Sequence, residues 1–459
     1  MASKNAPCAR PVPMTRSLTP PATASIIDIA RSVLNTEFAG GAHLMVVADQ
    51  FYRFVGDHWA VVSPHEVGGV VLRHLHAAAG DGKLNRRSTV REIVDLLKMF
   101  QSTGDDIFEE GEALPLLNLR NGQLVIGSDG SPDLQRHDPA SGQRHCLDVS
   151  YDPGAVCPLY DQALEEIFSK AASPTDLIAF WHEVTGYILQ PSRPDARIFV
   201  GWGDGSDGKT ALAALVARML GKEQVAAMPI SKLVSNQFMV GHLRGKRLLL
   251  DDDVNVGTVL PDGMLKTISE AKIVTGELKH RDGFEFTIRA VPMLLCNLPP
   301  IIRDTHPGFR RRLTVIRFDR RFSPAEANPV LFDRIYATER AGVLNRMLQG
   351  LQAVVARGWK LSPPAEVEQA TDEFYHQATR FSSPNITRRA SNVSSDINSM
   401  SSVFDRIDVK NFIYDVDIAN KYGCRVGQKF LELQINAPVG TQRVSVKIGN
   451  DIRIRFRMK

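Results

Sequence analysis

The chain has 459 residues, enough for two or three domains, and its 43% hydrophobic and 23% charged content is that of a globular protein, not a disordered or fibrous one. Its 55 basic and 51 acidic side chains leave a formal net charge of +4, too small to name a partner, so any nucleic-acid contact must show in where the charges sit. No apolar run approaches a membrane span, residues 1–22 lack the apolar segment of a signal peptide, and the five cysteines form no C-x-x-C pair; these features predict a protein of the reducing cytoplasm, with no membrane contact and no cysteine metal site.

Residues 1–23, rich in Pro, Ala and Ser, are expected as a disordered tail. Residues 24–158 read as a mixed α/β N-terminal domain. In it, Phe51 to Val62 forms two apolar runs around Gly56-Asp57, the pattern of a hairpin. Val90 to Phe100 has helical spacing, and Leu116 to Ile126 reads as a second hairpin turned at Asn121-Gly122. Over residues 159–361 helices alternate with short buried strands. Segments 159–170, 174–189 and 329–357 predict helices, and segments 197–202, 246–250, 289–296 and 313–318 predict strands. The alternation predicts an α/β core with a central, largely parallel sheet. Residues 362–402, with eight serines from 382 onward, are expected as a linker. Residues 403–459 are expected as a small C-terminal unit. There Val444 to Met458 alternates apolar with basic residues around Gly449-Asn450-Asp451, a hairpin with one apolar and one basic face.

One motif stands out. Gly203-Asp204-Gly205-Ser206-Asp207-Gly208-Lys209-Thr210 fits the P-loop pattern G-x-x-x-x-G-K-[ST], with a predicted strand before it and a predicted helix after it. Glycines let backbone N–H groups turn inward as an anion nest, and the helix N-terminus adds its positive dipole end. Lys209 then reaches the β/γ-phosphates of ATP, and the Thr210 hydroxyl reaches Mg2+. Such a loop needs acids at the end of a neighbouring strand, and Asp251-Asp252-Asp253 follows Arg247 to Leu250. Asp252 is assigned to Mg2+ and Asp253 to the attacking water. Asn297 ends another buried strand, where it can orient that water against the γ-phosphate. Arg310-Arg311-Arg312 precedes the last strand; Arg312 or Arg311 is a candidate arginine finger for a neighbouring subunit.

Taken in order, these motifs resemble superfamily 3 helicases of the AAA+ class, specifically the helicase module of phage, plasmid and poxvirus-type primase-helicases. Residues 203–210 match motif A, Gly245-Lys246-Arg247-Leu248 through Asp252-Asp253 match motif B, and Cys296-Asn297-x-Pro299 matches the sensor motif. Asp304-Thr305 through Gly308-Phe309-x-Arg311-Arg312-Leu313 matches the arginine-finger motif, and Leu265-Lys266 opens the segment between. Tyr52 to Trp59, Asn121-Gly122 and Tyr151 to Pro158 are similar to the domain that precedes this module. The resemblance implies a homo-hexameric ring that hydrolyses ATP between subunits, translocates on single-stranded DNA and opens forked DNA in replication, in the cytoplasm of a bacterial host if the element is a phage or plasmid. It implies that Lys279 and His280, at the tip of a hairpin within residues 273–288, grip DNA in the pore, and that the last residues form a winged-helix-like module. Only about two dozen residues precede the first predicted helix, so priming is expected from a separate primase. The chain departs from the family at Ser269-Glu270-Ala271 and in having Asp253 where Glu is also common. Two other readings stay open: a P-loop ATPase that remodels DNA-bound replication complexes without unwinding, and an initiator that uses ATP only to assemble.

Overall fold

The computed structural model of the chain describes residues 25–79, 86–104, 108, 116–190, 192–277, 283–380, 443–448 and 452–457. Contacts divide the chain into two units, Met1–Arg380 and Phe381–Lys459. The expected tail at 1–23 and the serine-rich stretch at 382–402 lie outside the described residues.

The first unit opens with α1 (Ile26–Glu37), started by a reciprocal cap in which Ser25 and Asp28 bond each other's backbone. A three-stranded antiparallel meander follows: β1 (Leu44–Val47), β2 (Gln50–Phe54) and β3 (Trp59–Val62). The β2–β3 pair, with Phe54 opposite Trp59, is the first hairpin expected from the sequence. Next come α2 (Pro64–Ala79) and α3 (Arg87–Phe100). Ile29, Val33, Phe51, Val71, Ile93 and Leu97 are buried together where these helices meet the sheet.

A second antiparallel sheet is built from β4 (Leu116–Leu119), β5 (Gly122–Ile126) and β6 (Pro132–Gln135). Leu119 pairs with Gly122, so the turn residues are Arg120 and Asn121, one position earlier than the sequence suggested. The reason is tertiary: the Asn121 side chain accepts from Tyr151 N at 2.9 Å and donates to Tyr151 O at 2.8 Å, which fixes the turn to a distant segment.

Then come α4 (Pro158–Ile167), α5 (Pro174–Leu189), β7 (Ile198–Gly203), α6 (Lys209–Leu220), β8 (Val225–Ala227), α7 (Lys232–Ser235), α8 (Gln237–Gly241) and β9 (Leu248–Asp251). These are followed by α9 (Asp262–Ser269), the hairpin β10 (Ile273–Gly276) and β11 (Phe284–Thr287), β12 (Val291–Cys296), α10 (Pro307–Arg310) and β13 (Leu313–Phe318). The long α11 (Leu331–Ala356) and α12 (Ala365–Thr379) close the unit.

Five strands form one parallel sheet in the order β13-β7-β12-β9-β8. Every residue of β7, β9 and β12 is buried, which explains why these segments read as unbroken apolar runs and not as alternation. Phe199, Met293 and Ile316 belong to a core shared with α5, α6 and α11. Their neighbours Val200, Leu294 and Val315 belong to a second core with Ile268 and Phe374 on the opposite face. One expectation is corrected: the acid-bearing β9 is not adjacent to β7. The strand β12 lies between them and hydrogen-bonds to both.

A second correction concerns the linker expected from residue 362. Residues 365–379 form α12, which packs on β13, and the Thr371 hydroxyl accepts from Val315 N at 2.9 Å. Val367, Ala370, Thr371, Phe374 and Ala378 are buried at helical spacing, a stripe hidden in the sequence by adjacent prolines and four acids. The expected boundaries at 158 and 361 fall inside the first unit.

In the second unit β14 (Arg443–Ile448) and β15 (Ile452–Arg457) pair antiparallel, with Val444 opposite Phe456 and Ile448 opposite Ile452, as the alternation predicts. The turn and the rest of the expected winged-helix-like module lie outside the described residues. Among the described residues no helix is long and apolar enough to cross a membrane.

Candidate nucleotide-binding site

β7 delivers Gly203 to the C-terminal edge of the parallel sheet, where ligands bind in such folds. The loop then turns through Gly205 at φ 94°, Ser206 at φ 54° and Gly208 at φ 88°, left-handed positions that aim successive N–H groups inward before α6 begins. At Gly203 a Cβ would collide with the Asp207 carboxylate and the Phe318 carbonyl, so only glycine fits. The Ser206 carbonyl accepts from Phe322 N at 2.7 Å, bracing the loop from the segment after β13.

Two charges are buried inside this loop, Lys209 at 6% exposure and Asp207 at 3%. Lys209 Nζ donates to Asp207 Oδ2 at 2.8 Å and to the Gly203 carbonyl at 3.2 Å. Gly205 N donates to the same Oδ2 at 3.1 Å, and Lys209 N donates to Oδ1 at 3.2 Å. Thus the nest anticipated from the glycines exists, and its donors converge on an oxyanion.

The three aspartates after β9 divide. Asp251 is 6% exposed and accepts from Ile230 N at 2.7 Å; burial, with smaller contributions from Asp252 and Asp253, pushes its pKa up. Asp252 and Asp253 are exposed and line a cleft of about 470 Å3 together with residues 205–211, Leu295, Cys296 and Asn297. Since β12 bonds to both β7 and β9, Asn297 emerges between the loop and the acids. Beside it the Cys296 thiol is pushed up to about 12 by burial, which keeps it protonated and chemically quiet. Thr210 and Asp252 put exposed oxygens in the same cleft, a donor set that suits a hard cation completed by phosphate and water.

The arginines divide as well. Arg310 donates to Asp372 on α12 at 2.8 Å through Nε and lies 3.7 Å from Glu368. Arg312 is 6% exposed, is ion-paired with Glu270 just after α9, and donates to the Gly308 carbonyl. Arg311 is exposed, and its side chain has no hydrogen-bond or ion-pair partner among the described residues. Neither Arg311 nor Arg312 lines the cleft of its own chain. The segment carrying them is held by α9: Asp262 accepts from Arg303 N and Asp304 N at 3.0 and 2.8 Å, and Lys266 Nζ lies 2.6 Å from Asp304 Oδ2. The Lys266 contact holds the Asp304 carboxyl below its usual range.

The hairpin β10–β11 forms as expected, with Ile273 opposite Thr287 and Gly276 opposite Phe284, while its tip with Lys279 and His280 lies outside the described residues. Near its base Arg144, Arg244, Arg247 and Arg289 line one cavity with Phe286 and Thr287. His145 in that cavity is driven down to about 3 by burial and by Arg144, Arg247 and Lys246, the mark of a positive local field.

Sequence reasoning missed three sets of contacts. The sequence places Asp207 among the nucleotide-binding residues of the loop but does not show that the loop's own donors converge on its carboxylate. Glu270 was visible only as a departure from a family pattern. The Lys266–Asp304 pair joins two motifs whose contact no spacing rule reveals.

A family model described as a family of unknown function, DUF5906, matches residues 202–312, the stretch from the end of β7 to Arg312. Among solved structures, the apo structure of the NrS-1 C-terminal region aligns with a TM-score of 0.49 and 12% identity over 75% of this chain and 74% of that one. A JCV helicase bound to a substituted acetamide aligns with a TM-score of 0.27 and 16% identity over 49% of this chain and 61% of that one.

Proposed function

We propose that this chain is an ATP-driven DNA helicase of the superfamily 3, AAA+ type, acting in replication of a phage, plasmid or integrated element. The observation that carries the reading is the convergence of loop residues 205–210, Asp252, Asp253 and Asn297 on one cleft at the sheet edge. Lys209 and the inward N–H groups bind the β/γ-phosphates. Thr210 and Asp252 hold Mg2+, which neutralises phosphate charge when ATP is bound. Asp253 takes the proton of the attacking water, and Asn297, seated between loop and acids, orients that water.

Arg311 is the better finger of the two arginine candidates, because Arg312 is committed to Glu270 inside its own subunit. A cation that is exposed and away from its own cleft suits a site completed by the next subunit of a homo-hexamer. Lys279 and His280 at the tip of β10–β11 contact single-stranded DNA, with the arginine-lined cavity at the hairpin base as a nearby phosphate-attracting field. Within the first unit, residues 24–158 precede the ATPase core, which runs from 159 through α12 on β13, and priming comes from a separate primase.

The test is a fork-unwinding assay on the purified chain, run with DNA-stimulated ATP turnover and sizing. Expected are a hexamer, turnover stimulated by single strands, and strand separation lost in Lys279→Ala with ATP binding intact. Hydrolysis without unwinding identifies a remodelling ATPase instead, and binding without hydrolysis an ATP-assembled initiator.

A further inference from the structure

A phosphate-binding loop works by aiming N–H groups and a lysine at phosphate oxygens. In this loop the donors already have an acceptor. Gly205 N and Lys209 Nζ point to one oxygen of Asp207 at 3.1 and 2.8 Å, and Lys209 N points to the other at 3.2 Å. The Asp207 side chain is 4% exposed, so little water solvates its carboxylate, and these donors carry its charge. It also fills the space that a Cβ on Gly203 would need. Each backbone N–H has one hydrogen, so a phosphate oxygen and a carboxylate oxygen cannot both accept fully from Gly205 N or Lys209 N, and the two anions, drawn to one lysine charge, repel.

We propose that Asp207 is a built-in competitor for the polyphosphate: its carboxylate holds the nest between nucleotides, and ATP binds by displacing it. The inference rests on the nucleotide-binding reading of this cleft and extends it to how the site is regulated. The carboxylate keeps the buried lysine neutralised and the loop in its inward-facing shape when no phosphate is there. The same contact weakens nucleotide affinity, because the Asp207 bonds must break first, and product ADP leaves faster for the same reason. Asp207 is therefore a positioning residue for Lys209, and two opposite effects distinguish it from a simple brace.

The experiment compares the full chain with Asp207→Asn, which keeps the shape and removes the charge, with Lys209→Ala as the control for specific binding. The readouts are the Kd for Mg·ADP by calorimetry and the thermal midpoint with and without saturating Mg·ADP. Expected is about tenfold tighter ADP in D207N, the scale of one charge-assisted bond no longer lost on binding, together with a lower midpoint in the absence of nucleotide and no deficit with it. Equal or weaker ADP binding in D207N overturns the proposal and makes Asp207 a structural brace. If neither protein binds ADP above the Lys209→Ala control, the nucleotide-binding reading fails too. Should the amide variant not fold, Asp207→Ala gives the same pair of readouts.

Discussion

The acidic triplet at 251–253 and the basic triplet at 310–312 obey one rule with opposite charges. In each, chain neighbours of identical chemistry are sorted by burial. Asp251 turns under the sheet edge to hold Ile230, while Asp252 and Asp253 face the cleft. Arg312 turns inward to Glu270 and Arg310 ties down α12, while Arg311 stays exposed. A run of like charges is thus not a redundant patch. In both triplets a buried anchor is joined to exposed groups, and the anchor fixes where the exposed groups stand.

Substitutions that exchange these roles break or sharpen the comparison. The largest effect belongs to Arg311→Ala, for which turnover should fall about a thousandfold with ATP binding and thermal midpoint unchanged. In Arg312→Ala the loss should instead appear as stability, about 2 kcal/mol in denaturant unfolding, because a buried ion pair is lost while Glu270, a quarter exposed, keeps Lys272. If Arg312→Ala proves stable yet inactive, the two roles are reversed. Next, Asp253→Asn should lower single-turnover hydrolysis by roughly a hundredfold or more at constant stability. Asp251→Ala should cost about 1 kcal/mol, from the unmet Ile230 N–H, with a far smaller effect on turnover per folded molecule. The smallest effect concerns Lys266. Asp304 has a lowered pKa in the folded chain, so its stabilisation is complete above the unfolded value near 3.9 and is lost as pH falls through the folded value. Lys266→Met should remove part of that acid dependence, roughly 0.5 kcal/mol between pH 7 and pH 3, since the pair is partly exposed. An unchanged acid limb would show that Asp304 is held by backbone donors alone.

Much of the parallel core was legible because its strands are buried on both faces and read as unbroken apolar runs bounded by turn residues. β13 coincides with the segment expected at 313–318, and β7 lies within one residue of expectation. The P-loop was legible because glycines and a lysine at fixed spacing encode a backbone shape. Strand order was not legible: nothing in Asp251 to Asp253 says that β12 lies between these acids and the loop. α12 was missed because its apolar stripe is sparse and its outward face acidic. The division within each charged triplet was hidden for a related reason. Burial of Asp251 and Arg312 depends on Ile230 and Glu270, which are distant in sequence and chemically unremarked until the fold brings them near.

The path of the chain between the acids and Asn297 has a mechanical consequence. After β9 the backbone runs through α9, out along β10, back along β11, and into β12. The hairpin is therefore inserted between α9 and β12, the strand that leads into Asn297. At its root the Ile288 N–H is bonded to the Lys272 carbonyl at 3.1 Å, which ties the two strands to each other where the hairpin leaves the core. Lengthening the hairpin by register-preserving pairs of residues would change its reach without altering the parallel sheet.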